Sequence, residues 1–252
     1  MKIVIIGTGN VAAVLGRKLI NAGHEIVQVY GRNTMAASEL AYEWNTKSAN
    51  YTSLILKDAD FYLVAVSDAA IPAIAADLRL NDRVVAHTAA AVPMEALKSV
   101  SANYGVLYPL QSMRKQQQAL PALAIYTEAS NAYTQKILDQ LATSISDTPV
   151  HTAGIDKRTQ LHVAAVFVNN FTNYLFDLAA EFCEREGIDF KELLPLIKNT
   201  ADRLATDAPG DLQTGPAIRK DLETINRHKA LLKAYPEQLA VYDFLTNALI
   251  NH

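Results

Sequence analysis

One cysteine in 252 residues, Cys183, excludes an intramolecular disulfide and a thiolate-rich metal centre. A lone thiol suits a reducing cytoplasm, and its helix-forming neighbours predict a small buried hydrophobe. Excess charge of either sign is also missing. Residues 1–150 carry 12 basic and 12 acidic groups, and the remainder carries 11 and 14. Neither half has the basic surplus of a phosphate-tracking protein, so nucleic acid is not an expected partner. Long apolar runs are absent. Four apolar residues, Ile3 to Ile6, follow a single lysine and end at Gly7, too few for a signal peptide's core. The run Val163 to Val168 stops at Asn169 and Asn170, before it could span a bilayer. A soluble, cytoplasmic protein without a membrane partner or a bound metal is expected.

Short β-branched runs alternate with helical patterns through the first 150 residues, which indicates βαβ units and a parallel sheet. Strands are predicted at KIVIIG, EIVQVY, FYLVAV, RVVAHT, YGVLYP and LAIYT, with a weak one near Tyr51. Helices are predicted to begin near Asn10, Thr34, Asp68, Pro93 and Asn131. Beyond Asp156 only 3.6-period segments remain. The fold class is therefore α/β, a doubly wound Rossmann domain with a parallel sheet over residues 1–152, followed by an all-α domain over 153–252. The helix near Lys157 contains LHVAAVFV, apolar on almost every side, which predicts cover by a second subunit and a homodimer through the helical domain.

The turn after the first strand reads GTGNVA, with Gly7, Gly9 and Ala12 in a G-x-G-x-x-A pattern. Gly7 permits the tight turn, Gly9 lets a pyrophosphate approach the backbone, and small Ala12 lets helix and strand pack closely. Thr8, Asn10 and Val11 complete the phosphate-binding turn, whose free N–H groups and helix dipole favour an anion. At the end of the second strand, an acid would bind a ribose 2′-hydroxyl but repel a 2′-phosphate. The chain has Gly31, Arg32 and Asn33 there. The planar guanidinium of Arg32 can pair with phosphate oxygens and stack on adenine. Gly31 is expected to leave room, and Asn33 to donate a hydrogen bond while capping the next helix. This selects NADP over NAD, and the missing acid also counts against S-adenosylmethionine. Arg32 as a plain surface residue is the bland alternative.

Ligands of doubly wound sheets gather beyond the carboxyl ends of the strands. Those ends supply Val66 and Ser67, His87, and Tyr108. Ser67 or Asp68 can also serve only as a helix cap. His87 is a candidate proton donor, substrate partner or core histidine. In the second half, His162, Asn169 and Asn173 fall within roughly 40° of one another at about 100° per residue, a polar stripe facing either a substrate or a partner subunit. Gly215 and Pro216 predict a helix start, and Arg219 just beyond could bind a substrate anion.

GTGNVA, VAVSDAAI, HTAAA, YPLQSM and TGPAIRKDLETINRHKALL together resemble the bacterial Rossmann-like family with a C-terminal helical domain of unknown function. More distantly the chain is similar to ketopantoate reductase, pyrroline-carboxylate reductase, the deazaflavin-linked NADP oxidoreductases and the 6-phosphogluconate dehydrogenase group. The resemblance implies an NADP-binding Rossmann domain, a helical second domain, and a dimer whose site lies between the two. The lysine of the related hydroxyacid dehydrogenases, one turn before the helix asparagine, is replaced by Ala165 or Val166. HTSG of the family stands here as His87 to Ala90, and its His-Pro as Tyr108-Pro109. The function expected is NADP-dependent hydride transfer to or from a small, anionic keto or hydroxy acid or imine. Catalytic roles fall to His162, His87 and Asn169, and substrate binding to Tyr108, Asn173 and Arg219. The alternative is a non-catalytic NADP-binding sensor, which the missing lysine favours.

Overall fold

The structure, a computed structural model, describes residues 1–117 and 119–251. Its sheet begins with β1 (Lys2–Ile6), whose Ile3 and Ile5 enter one core while Val4 and Ile6 enter another on the opposite face. An uninterrupted apolar run is what a strand covered on both faces requires. The chain continues through α1 (Asn10–Asn21), β2 (Glu25–Tyr30), α2 (Thr34–Glu43) and β3 (Lys47–Ala49). It then forms β4 (Phe61–Val64), α3 (Ile71–Asp77), β5 (Val84–His87), β6 (Tyr104–Leu110), β7 (Ala124–Ala129), α4 (Ala132–Ile145) and β8 (His151–Thr152).

Among the described residues the strands lie in the order β3-β2-β1-β4-β5-β6-β7-β8. β1 therefore separates the first two crossovers from those that follow, and the sheet reverses its direction of growth between β1 and β4. Helices α1, α2 and α4 cover one face through Leu15, Leu40 and Leu138. Helix α3 covers the other through Ile71 and Ile74.

The sheet is not wholly parallel. β7 runs antiparallel to β6, with Tyr108 opposite Tyr126, and among the described residues between the two strands there is no crossover helix. The weak strand expected near Tyr51 is β3, ending two residues earlier. β8, only two residues long, gives no hydrophobic run by which sequence could find it. The helix expected at Pro93 is a single 3₁₀ turn, Met94–Leu97.

Beyond β8 the regular elements among the described residues are all helical. α5 (Ile155–Ala165) runs into a π-helical segment, Val166–Phe171, and then α6 (Thr172–Arg185), α7 (Leu194–Asp202), α8 (Leu222–Leu231) and α9 (Pro236–Ile250). The chain forms two compact units, Met1–Phe167 and Val168–His252. The change of secondary-structure type thus comes at 152/153, whereas α5 belongs to the first unit. Its Arg158, fully buried, donates to the carbonyls of Val92 and Ala153, both at 2.9 Å, and pairs with Glu128 on β7. In the second unit the ring of Phe182 on α6 meets Tyr235, just before α9, edge-on at 5.1 Å. Cys183 is buried and free, as expected. Pro216 does not start a helix. Gly215 (φ 110°) and Lys220 (φ 54°) turn the chain, and α8 begins at Leu222 with Asp221 as its cap, accepting from the Thr224 amide at 3.1 Å. Among the described residues no helix is long and apolar enough to cross a membrane, and no cluster of side chains could hold a metal.

Candidate functional site

A cavity of about 580 Å³ opens where the sheet reverses, beyond the carboxyl ends of β1, β2 and β4. This is the crevice in which doubly wound sheets bind ligands. One wall is the turn from β1 into α1, Gly7 to Val11. Gly7 adopts φ 131°, and a Cβ on it would lie 2.1 Å from the Ala65 carbonyl oxygen, so no other residue fits. At Gly9 a Cβ would meet no atom within 4 Å, so the missing methyl leaves open space on the cavity side. Gly9 is also the extended N-cap of α1, with no side-chain cap bond and no acid in the first turn. The N–H groups of that turn and the positive end of the dipole are left for an incoming anion. Asn10 uses its side-chain oxygen to accept from the Lys115 amide at 3.1 Å, which ties Lys115 beside the turn.

The second wall comes from the end of β2. Arg32 is exposed, lines the cavity and makes no ion pair among the described residues. Asn33 caps α2, accepting from the Ala36 amide at 3.1 Å, and its side-chain N–H₂ remains to donate. The room expected beside Gly31 is already taken. A Cβ there would lie 2.4 Å from the Thr8 methyl, so this glycine lets the two turns pack together. Val66 and Ser67 form the floor, and Ala73, Ile74 and Asp77 of α3 form the far side. Sequence reasoning passed over these last three, although their i, i+1, i+4 spacing places them along one helix. The cavity thus joins an uncapped helix start and a guanidinium with no ion pair among the described residues to a far wall that is apolar at Ala73 and Ile74 and acidic at Asp77.

The residues expected from sequence to serve the reaction are distributed differently. His87, at the end of β5, is fully buried and does not line the cavity. Its Nδ1 accepts from the Ala89 amide at 3.2 Å, so Nε2 carries the proton and donates to the Pro93 carbonyl at 3.2 Å. Burial, only partly opposed by the Pro93 bond, lowers its pKa from 6.5 to about 4. A neutral imidazole with both nitrogens engaged shapes the 88–93 loop and is no reservoir of protons.

Tyr108 and His162 come together. The Tyr108 hydroxyl lies 3.3 Å from His162 Nδ1, with Tyr108 only 6% exposed on β6 and His162 exposed on α5. Burial raises the Tyr108 pKa and neighbouring Tyr126 adds to the effect, while Arg158 opposes both. Tyr108, Tyr126 and His151 occupy matching positions on β6, β7 and β8, their rings 6.4 and 5.9 Å apart.

Asn169, Asn173 and Arg219 are exposed and belong to the second unit. The π-helical segment removes the uniform 100° step by which His162, Asn169 and Asn173 were aligned, because i→i+5 winding turns less per residue than i→i+4. Arg158 and Glu128 are the site-side residues that sequence reasoning missed. An arginine in the first turns of a helix reads as solvated, and nothing local marks it as fully buried.

Residues 2–91 match the family described as NADP oxidoreductase, coenzyme F420-dependent. Residues 123–249, half of the chain, match the domain of unknown function DUF2520. A candidate NADP oxidoreductase from Bacteroides fragilis is 32% identical over 100% of this chain and 98% of its own, with a TM-score of 0.93. A protein from Thermotoga maritima is 23% identical over 98% of this chain and 97% of its own, with a TM-score of 0.78. The pyrroline-5-carboxylate reductase of Streptococcus pyogenes, 14% identical over 100% and 99%, has a TM-score of 0.68. These last two share the fold. No curated protein matches. The chain belongs to the DUF2520 family, and in it an oxidoreductase-type Rossmann unit whose cofactor is NADP precedes a helical region.

Proposed function

We propose that this protein is an NADPH-dependent reductase acting on the C=N or C=O bond of a small, anionic metabolite. The cavity carries the reading, because it joins an uncapped helix N-terminus to an unpaired arginine at the end of β2. In this assignment Gly7 to Val11 hold the pyrophosphate, Arg32 and Asn33 the 2′-phosphate, and Val66 and Ser67 the chain leading toward the nicotinamide. Bound NADPH would supply the hydride. The residues of this chain supply the remainder: they orient the nucleotide, keep water from the adenine wall, and deliver a proton through Tyr108 and His162. Imine chemistry has support in fold likeness. The matching structures include an imine reductase from Streptomyces aurantiacus, 12% identical with a TM-score of 0.61, and an Aspergillus terreus reductive aminase solved with NADPH, 15% identical with a TM-score of 0.71. Asn169, Asn173 and Arg219 are the helical unit's candidates for the substrate's polar groups.

We infer further that the protein is a homodimer through its helical unit. Among that unit's described residues only Leu178, Cys183, Ala217, Ile225, Tyr235 and Thr246 are buried, while Val168, Leu196 and Phe244 are 75%, 63% and 73% exposed. Helices this apolar need a partner surface. The test of function is nicotinamide absorbance on mixing NADPH with a panel of keto acids and cyclic imines. Oxidation of NADPH by one of them is expected. Tight binding without turnover on any would instead establish a nucleotide sensor.

A further inference from the structure

The Tyr108–His162 contact depends on where α5 lies, and one side chain secures α5. Arg158 stands one turn before His162 and is fully buried. Its Nε donates to the Ala90 carbonyl at 3.3 Å, and its terminal nitrogens donate to Ala153 and Val92. The remaining bond goes to the Glu128 carboxylate on β7, which is 23% exposed on its side chain. One guanidinium thus ties α5 to the loop after β5, to β7 and to the residue following β8. A buried arginine so fully paired is costly to disturb, since any lost partner leaves a charge without solvent. It is more investment than holding down a helix needs, because apolar packing could do that.

We propose that Arg158 is a positioning residue that sets α5 so that His162 Nδ1 meets the Tyr108 hydroxyl, making these two a single proton-delivering pair. The inference rests on the reductase reading. When the substrate's carbon accepts a hydride from NADPH, leaving NADP⁺, Tyr108 gives its hydroxyl proton to the substrate nitrogen or oxygen. Tyr108 takes a proton from the His162 ring it meets in the same movement, and exposed His162 recovers one from water. The other titratable or charged groups around the pair are Tyr126 and Glu128 from β7, His151 from β8, and Arg158 itself. Arg158 is the fixed positive charge among them. It opposes the burial that would otherwise make Tyr108 a still weaker acid.

The test needs no turnover. The His162 ring is followed by nitrogen NMR at one fixed pH in the full-length protein with labelled histidine, its signal assigned by loss in His162→Gln. Tyr108→Phe is expected to move the His162 Nδ1 resonance in the parent protein and to leave it unmoved in Arg158→Lys. Equal movement in both backgrounds overturns the proposal. Should Arg158→Lys not fold, Glu128→Gln replaces it, since glutamine still accepts one bond from the guanidinium. The shift should then fall by more than half, and an undiminished shift overturns the proposal equally. NADPH affinity serves as the separate control on the reductase reading. None of Arg158's contacts lines the nucleotide cavity, so Arg158→Lys should bind NADPH as the parent does. With a substrate in hand, kcat should drop on the order of tenfold or more with KM for NADPH unchanged.

Discussion

On the proposed reading, recognition of the nucleotide turns on Arg32 and Gly9, whose substitutions should fail in different ways. Arg32→Ala should remove charge-assisted bonds to a 2′-phosphate, costing about 1.5–3 kcal/mol, or on the order of 10- to 100-fold in affinity for NADPH. NADH has no group there and should lose little. Paired titrations of the two nucleotides check this, and equal losses would show that the 2′-phosphate is bound elsewhere. Gly9→Ala has open space around its new methyl, so the melting temperature should hold while NADPH affinity collapses. Gly7→Ala should do the reverse, because its methyl would meet the Ala65 carbonyl at 2.1 Å in a left-handed backbone. A loss of several kcal/mol in denaturant unfolding is expected for it. The local chemistry of these positions was legible in the sequence. Gly31 was legible as a glycine but not in its reason, since packing against Thr8 joins two turns far apart in the chain.

At the scale of the element, β5 and its loop carry a pH-dependent stability. His87 has a pKa of about 4 in the fold and 6.5 ordinarily, its burial disfavouring the charged form. The unfolded chain therefore binds more protons between those values. Stability is full above pH ~6.5 and declines as pH falls toward ~4, by up to about 3 kcal/mol. His87→Gln should flatten that part of the curve of stability against pH. An unchanged slope would show that His87 is not the group responsible. The elements themselves were largely visible in sequence: apolar runs marked the longer strands, and 3.6-period stripes marked α1 and α4. The direction of β7 was not, because its residues have the same pattern whichever way the strand points. The π-helical segment was hidden for a similar reason. VFVNNF contains nothing that forbids ordinary α-helical winding.

For the whole molecule, the helical unit's exposed apolar side chains predict assembly. Phe244→Asp should convert a dimer to a monomer, read by light scattering after gel filtration, with the Rossmann unit's circular dichroism retained. A monomeric parent protein at micromolar concentration would sink the dimer assignment. Periodicity over a dozen residues by itself determined the βαβ order and the helical second half, and residue identity marked the glycine turn and the arginine at the end of β2, because each is a local pattern. Only tertiary structure decided that His87 is sealed inside, that Tyr108 meets His162, and that Arg158 is buried against Glu128. Such pairings join residues tens of positions apart, and their energy comes from desolvation and hydrogen bonds that exist only once the strands have been laid side by side.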